Sequence, residues 1–421
     1  MASRVVLTCW GSFGDLFPTI GIASELKRRG HRALVATCPV YRDVVSGAGL
    51  EFAPVRPDVD PSDTALMARV MDPARGTEVI VRELLVPALR DAYRDLATAV
   101  EGADLLVSHP VTFAAPILAE RQGLRWLSTA LAPTSFFSLH DFPLLPPFPG
   151  VMRLARATPW AARAFMRFAR SVTGPWVAPI HEFRAELGLP EGGDPLYEGQ
   201  FSPHGTLALF SRVMAGPQPD WPPATTVTGF VFHDDFGAMS PELSAFLDAG
   251  PPPIVFTLGT SAVGAAGGFY RESARAAEVA GRRAVLVVGR RTGNRPTALP
   301  ASAIAVDYAP HAPLFARAAA VVHQGGAGTT AQALRAGRPM LVVPHAHDQP
   351  DNAARVQRLG AARVVSPAGY RADHVATHLR PLLDDATYAA RAAEAAAVIA
   401  TERGDAVAAD VIERALTAPP A

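Results

Sequence analysis

The sequence predicts an α/β protein made of two Rossmann-like domains. Two observations carry that expectation: each half alternates short apolar runs with amphipathic helical stretches, and a turn-rich, proline-rich stretch divides the halves. A third observation fixes the character of the second half, where strand, glycine-rich loop, helix and strand follow one another between residues 319 and 343. The length of 421 residues is enough for two domains that each bury a core.

In chain order, Val5 to Thr8 reads as a buried strand and Trp10 to Asp15 as a loop. Pro18 to Arg29 reads as a helix with Ile20, Ala23 and Leu26 on one face, closed by Gly30. Ala33 to Thr37 returns as a strand. The turn between them is Gly11-x-x-Gly14 and not G-x-G-x-x-G, which argues against a classical dinucleotide site. Further βα units follow at Ala103 to Ser108, Thr112 to Gln122 and Arg125 to Thr129. Residues 132–180 are rich in Pro, Phe and Trp, and read equally as a pocket wall or as a crossover packed on the core. Within them Arg163, Arg167 and Arg170 share one helical face, which suits solvent or an anionic membrane surface.

These readings give a first domain over 1–215, a linker over 216–250 and a second domain over 251–399. In the second domain the expected elements are strands at Ile254 to Leu258, Ala284 to Val288 and Ile304 to Val306, with a helix from Phe269 to Ala280. The strand Ala319 to Val322, the helix Thr329 to Ala336 and the strand Met340 to Val343 complete it. A last helix runs from Thr401 to Leu416. Formal net charge is zero, which favours no nucleic-acid partner. Cys9 and Cys38 are the only cysteines, so a reduced, cytoplasmic protein is expected. The absence of about 18 consecutive apolar residues points away from export or membrane spanning.

The chemistry concentrates in the second half. Gly325, Gly326 and Gly328 let backbone N–H groups approach an anion, and the helix after them aims its positive dipole end at the same place. The next strand ends in Pro344-His345-Ala346-His347-Asp348-Gln349, a set of donors and acceptors at a carboxyl strand end. A diphosphate beside hydroxyls describes a nucleotide-sugar. Gly259-Thr260-Ser261 adds hydroxyls or simply caps the next helix. On the first domain Asp15 offers a carboxylate that can accept a proton, or one that stabilises a helix start. His109 is a lesser candidate at a strand end.

Rival readings come from other classes. His345-x-His347-Asp348, with His311 and His323, suits a metal-dependent hydrolase. A non-catalytic sugar-nucleotide-binding auxiliary protein and an epimerase-like enzyme are two more. Asp58-Val59-Asp60 has the D-x-D spacing of metal users but lies in a proline-bounded turn.

The pattern His323, Gly326, Gly328, Thr329, Thr330, Gly337, Pro339, Pro344, Asp348, Gln349 and Asn352, with Gly11 to Asp15 and Asp220-Trp221-Pro222, resembles a known family across nearly the whole chain. It is that of the nucleotide-sugar-dependent glycosyltransferases of the GT-B fold, which includes plant and sterol glucosyltransferases. Within it the chain is most similar to the bacterial branch of the rhamnolipid rhamnosyltransferase and antibiotic glycosyltransferases. The resemblance implies two Rossmann-like domains facing across a cleft, with a C-terminal helix over about 400–421 that packs back on the first. It implies inverting transfer of a hexose or deoxyhexose from a UDP- or dTDP-sugar to a hydroxyl of a lipophilic small molecule, such as a natural product, flavonoid, sterol or hydroxy-fatty acid. Neither a metal nor a tightly bound cofactor is implied, and the protein would be a monomer or homodimer with at most peripheral membrane contact.

Residue by residue, the resemblance makes Asp15 the general base. It puts Ser12, Gly14, Thr260, Ser261, Tyr308, Ala309, His323, Gln324, Gly325, Gly326, Gly328, Thr329, Gln332, Asp348 and Gln349 at the donor. Tyr308 would stack on the base, and Asp348 and Gln349 would hold sugar hydroxyls. Gln324 stands where related members often carry a second histidine, and Gln332 where the family places a ribose-binding glutamate. That second departure leaves a dTDP-sugar fully competitive with UDP. His109, Phe136, Phe137 and His140 fall on the acceptor side.

Overall fold

The computed structural model describes residues 2–61, 63–146, 148–234, 237–290 and 292–418. Contacts divide them into two compact units: one from 1–60, 75–233 and 402–421, the other from 61–74 and 234–401.

The first unit is built on seven strands: β1 (Arg4–Thr8), β2 (Arg32–Thr37), β3 (Glu51–Pro54), β4 (Leu105–Ser108), β5 (Trp126–Ala130), β6 (Thr206–Ala208) and β7 (Thr225–Val227). Their order is β3-β2-β1-β4-β5-β6-β7, and every pairing is parallel. A parallel sheet covered on both faces needs strands that are apolar on both sides. Accordingly Val5 and Leu7 enter one core cluster while Val6, between them, enters another.

The helix after β1 runs Phe13–Arg28, five residues earlier than the expected start at Pro18. The cause is local. Ser12 takes the N-cap, its hydroxyl accepts the Gly14 N–H, and the Asp15 carboxylate accepts the Ser12 N–H, a reciprocal capping box. Asp15 therefore sits in the first helical turn and not in a loop.

Residues 216–250 contain β7 and a helix, Pro241–Asp248, capped by the Ser240 hydroxyl. Residues 132–180 fold mainly as a pair of helices, Pro149–Ala157 and Pro159–Glu186, joined at Thr158. The last helix, Gly404–Thr417, packs on Phe13–Arg28 within the first unit. Ala408, Ala409 and Ile412 enter its core, and Arg29 reaches Asp410 at 2.6 Å and Glu413 at 2.8 Å. Gly404 is required there, because a Cβ would lie 2.3 Å from the Phe230 carbonyl oxygen.

The second unit carries β8 (Ile254–Thr257), β9 (Ala284–Val287), β10 (Ala303–Val306), β11 (Ala320–His323), β12 (Met340–Val342) and β13 (Ala362–Val364). They are parallel in the order β10-β9-β8-β11-β12-β13. A segment distant in sequence joins this unit: helix Thr64–Val70 packs against residues 262–265, and Met71 enters the core. In both sheets the strand order reverses at the first strand, between β1 and β4 and between β8 and β11. Such switch points open a crevice at the carboxyl strand ends where ligands of open α/β sheets bind.

Candidate active site

Each unit has polar residues at its own switch point. In the first unit, Asp15 follows β1 and His109 follows β4. The His109 Nε2 lies 3.2 Å from Asp15 Oδ1, while Oδ2 accepts the Ser12 N–H at 2.7 Å and the Ser12 hydroxyl at 3.2 Å. Gly11, at φ +141°, makes room for this carboxylate: a Cβ there would sit 2.3 Å from Asp15 Oδ2. The Asp15 side chain keeps 28% of its surface exposed, whereas His109 keeps 10% and its Nδ1 is buried without a partner. The carboxylate is the more exposed group of this pair, with the imidazole as its neighbour.

The other residues expected on the acceptor side lie on one loop after β5. Phe136 is buried, stacked on Trp221 with ring centres 4.3 Å apart and on Phe201 at 5.4 Å, so the structure makes it a core aromatic. Phe137 has φ 47° and packs edge-on against Tyr197. His140 is exposed and donates its backbone N–H to Ser138 Oγ. Asp220-Trp221 holds this loop: Asp220 accepts the Ser138 hydroxyl at 2.7 Å and the Leu139 N–H at 2.6 Å.

In the second unit the helix Ala327–Arg335 starts at Gly326, two residues into the glycine loop, with no side-chain cap. Its first N–H groups are therefore unclaimed by any side chain, an arrangement that suits an anion at the positive end of the helix. Gly325 needs its φ of +90°, and a Cβ on it would meet Val342 Cγ1 at 2.9 Å and the Gln349 carbonyl oxygen at 3.1 Å. Gly259, after β8, lies so close to the Gln324 amide that a Cβ would stand 2.3 Å from Nε2.

Around this helix start lie buried polar atoms that no protein group satisfies: His323 Nε2, Gln324 Oε1, Thr330 Oγ1, Gln332 Oε1 and His345 Nε2. Leaving such an atom unpaired costs about 1–3 kcal/mol, so a polar group or water beside these atoms would restore their bonding. Burial pushes His323 down to about 3 and His311 to about 4, and lowers His345 as well. These imidazoles are neutral at physiological pH, so they bring no positive charge to this strand end.

Asp348 and Gln349 differ in what they have left to offer. Gln349 Oε1 accepts the N–H groups of His345 and Ala346 at 2.8 and 3.2 Å, which spends it on the turn. Asn352 donates both to Asp348 Oδ2 at 2.7 Å and to the Gly325 carbonyl at 2.9 Å, tying the carboxylate to the glycine loop. His347, immediately before Asp348, has φ 57°, a conformation costly for a residue with a Cβ and concentrated at functional sites. Tyr308 is half exposed while Ala309 is buried, leaving the Tyr308 ring free to receive a planar partner. Thr260 and Ser261 follow Gly259 on the same strand end.

Asp234 escaped sequence reasoning, and Thr330 entered it only as part of the family pattern, with no role of its own. Thr330 Oγ1 joins the unsatisfied set, and Asp234 accepts Gln332 Nε2 at 3.4 Å and pairs with Arg335 at 2.6 Å. Ninety-eight positions separate Asp234 from Gln332, so no local pattern signals the contact.

Comparison with known proteins agrees with this geometry. Residues 275–414 match the family model described as the C-terminal domain of erythromycin biosynthesis protein CIII-like proteins. The chain is 35% identical to the O-mycaminosyltylonolide 6-deoxyallosyltransferase of Streptomyces fradiae over 95% of its own length and 94% of that enzyme. Among solved structures, the spinosyn forosaminyltransferase is 21% identical with a TM-score of 0.74, covering 99% of this chain and 100% of that one. Glycosyltransferase VinC in complex with dTDP is 23% identical with a TM-score of 0.67, covering 98% and 99%. The hydrolase, epimerase and auxiliary-protein readings give way to this kinship: the chain belongs to the GT-B family of nucleotide-sugar-dependent glycosyltransferases.

Proposed function

We propose that the protein is an inverting glycosyltransferase that moves a deoxyhexose from a dTDP-sugar to a hydroxyl of a lipophilic natural product, with Asp15 as general base. The acceptor hydroxyl gives its proton to the Asp15 carboxylate as its oxygen bonds to the anomeric carbon. The bond from that carbon to the diphosphate breaks, and the electron pair leaves with the nucleotide. A single displacement of this kind inverts the anomeric centre.

One observation carries the reading: an uncapped helix start at Gly326, ringed by unsatisfied buried polar atoms at the switch point of the second sheet. It supports the diphosphate as the group that completes the site. The Asp15–His109 pair lies at the switch point of the first unit, and the partly exposed Asp15 side chain supports it as the proton acceptor. Tyr308 stacks on the nucleoside base, and Asp348 holds sugar hydroxyls. Gln332, its amide engaged by Asp234, offers one acceptor oxygen in place of a carboxylate, which suits a deoxyribose with a single free hydroxyl better than a ribose with two. The dTDP found with VinC and the 6-deoxyallosyl group named for the Streptomyces fradiae relative support the same donor class.

The test is calorimetric titration of the purified protein with dTDP and with UDP, each with and without chelator, followed by mass analysis of a natural-product acceptor incubated with dTDP-deoxyhexose. Tighter binding of dTDP, insensitive to chelator, and an acceptor heavier by one deoxyhexosyl group are expected. Binding of UDP alone would overturn the donor assignment. Turnover that leaves the acceptor unmodified would overturn the reaction.

A further inference from the structure

From Phe142 to His181 the chain carries five arginines and no aspartate or glutamate. The structure turns this bias into a surface. The helices Pro149–Ala157 and Pro159–Glu186 hold Met152, Ala155 and Ala162 inward on a small apolar cluster with Phe142. Outward they present Phe148, Val151, Leu154, Trp160, Phe168 and Val172, six of the nine large apolar side chains exposed among the described residues. Trp160 is 66% exposed and Phe168 57%, and both are large rings for which water is a poor environment.

The pattern along the second helix is regular. Trp160, Ala164, Phe168 and Val172 follow at intervals of four, one stripe of exposed small and apolar residues, and Arg163 and Arg167 flank it one position earlier. Arg156 is spent on the Phe142 carbonyl and Arg170 on Glu198. Arg153, Arg163 and Arg167 are exposed and have no acidic partner among the described residues.

We propose that this helical pair is a docking surface for an anionic phospholipid bilayer, on which it lies in the plane of the interface. Aromatic rings and aliphatic side chains enter the headgroup boundary, and the flanking guanidinium groups meet lipid phosphates. No helix among the described residues is long and apolar enough to cross a membrane, so the contact is peripheral. Charge decides between a bilayer and a second copy of this chain. A two-fold pairing of this surface would set arginine against arginine, with no acidic side chain on the segment to answer them. Anionic headgroups answer all three. The surface is independent of the donor and acceptor assignments above.

The experiment is co-sedimentation of the full chain with vesicles of phosphatidylglycerol and phosphatidylcholine, and of phosphatidylcholine alone. Binding that requires phosphatidylglycerol and weakens in 0.5 M salt is expected. Arg163→Glu/Arg167→Glu should lower the partition coefficient by at least about twentyfold. Trp160→Ser/Phe168→Ser and, separately, Val151→Ser/Leu154→Ser should each lower it at least about tenfold, with thermal unfolding unchanged. No binding to phosphatidylglycerol vesicles would overturn the proposal, as would binding that none of these variants weakens. A wild type that sediments as a dimer, with variants that sediment as monomers, would assign the surface to a second copy instead.

Discussion

Asp15→Asn separates the two jobs that the structure gives this side chain. Asp15 Oδ2 accepts the Ser12 N–H at 2.7 Å and closes the capping box of helix Phe13–Arg28, while Oδ1 faces His109 Nε2 at 3.2 Å. An asparagine keeps one oxygen for the Ser12 N–H, so the helix start should lose no more than about 1 kcal/mol. Asp15→Ala removes that acceptor altogether and should cost about 1–2 kcal/mol. For a unit of this size that lowers the melting temperature by a few degrees, on the order of 2–4 °C per kcal/mol. Neither side chain can take a proton from an acceptor hydroxyl. Both variants should therefore lose about 10²–10⁴ in the rate of transfer, although they differ in stability. The assay is initial-rate product formation by mass spectrometry at saturating donor, beside thermal unfolding and dTDP titration, which should stay within a few-fold of wild type. If Asp15→Asn retains transfer within tenfold, Asp15 is a capping residue only and the base lies elsewhere.

Gly11→Ala places a methyl group 2.3 Å from Asp15 Oδ2, so transfer should fall while dTDP affinity is kept, a split that kinetics and calorimetry measure together. Gly325→Ala strains a φ of +90° against Val342 and Gln349, and should weaken dTDP binding more than about tenfold, worth 1.4 kcal/mol or more. His311 and His323 are neutral in the native state down to about pH 4 and 3, whereas unfolded histidine protonates near 6.5. Below pH 6.5 the unfolded chain binds more protons, so stability is full above that pH and falls as the solution is acidified. The loss is about 2 kcal/mol for each histidine by pH 5, to be read from denaturant midpoints at pH 7.5 and 5. Gln332→Glu sets a carboxylate against Asp234 and should lower the melting temperature, with recovery in Gln332→Glu/Asp234→Asn. The double variant should also bind UDP better relative to dTDP.

Part of the site was legible because its signals are local. Gly325, Gly326 and Gly328 between an apolar run and a helical stretch specify a phosphate-type loop from a few consecutive residues, and the structure finds the loop there with its helix uncapped. The first helix starts five residues before Pro18, because the Ser12–Asp15 capping box sets its start and Pro18 lies inside it. The expectation of Phe136 on the acceptor side carries no information on its three-dimensional neighbours. The burial of this ring depends on Trp221 and Phe201, brought together only by folding.

By itself the sequence determined the alternation of strands and helices, the glycine loop and the strand-end cluster Pro344 to Gln349, since each is written within one turn or one strand. Tertiary structure decided what depends on distant partners. It joined His109 to Asp15, Asp234 to Gln332 and Asn352 to the Gly325 carbonyl, placed 61–74 with the second sheet, and buried His323 until its imidazole is neutral. Hydrogen bonds and desolvation act through space, and only the fold sets which atoms lie within hydrogen-bonding distance of one another and which are withdrawn from water.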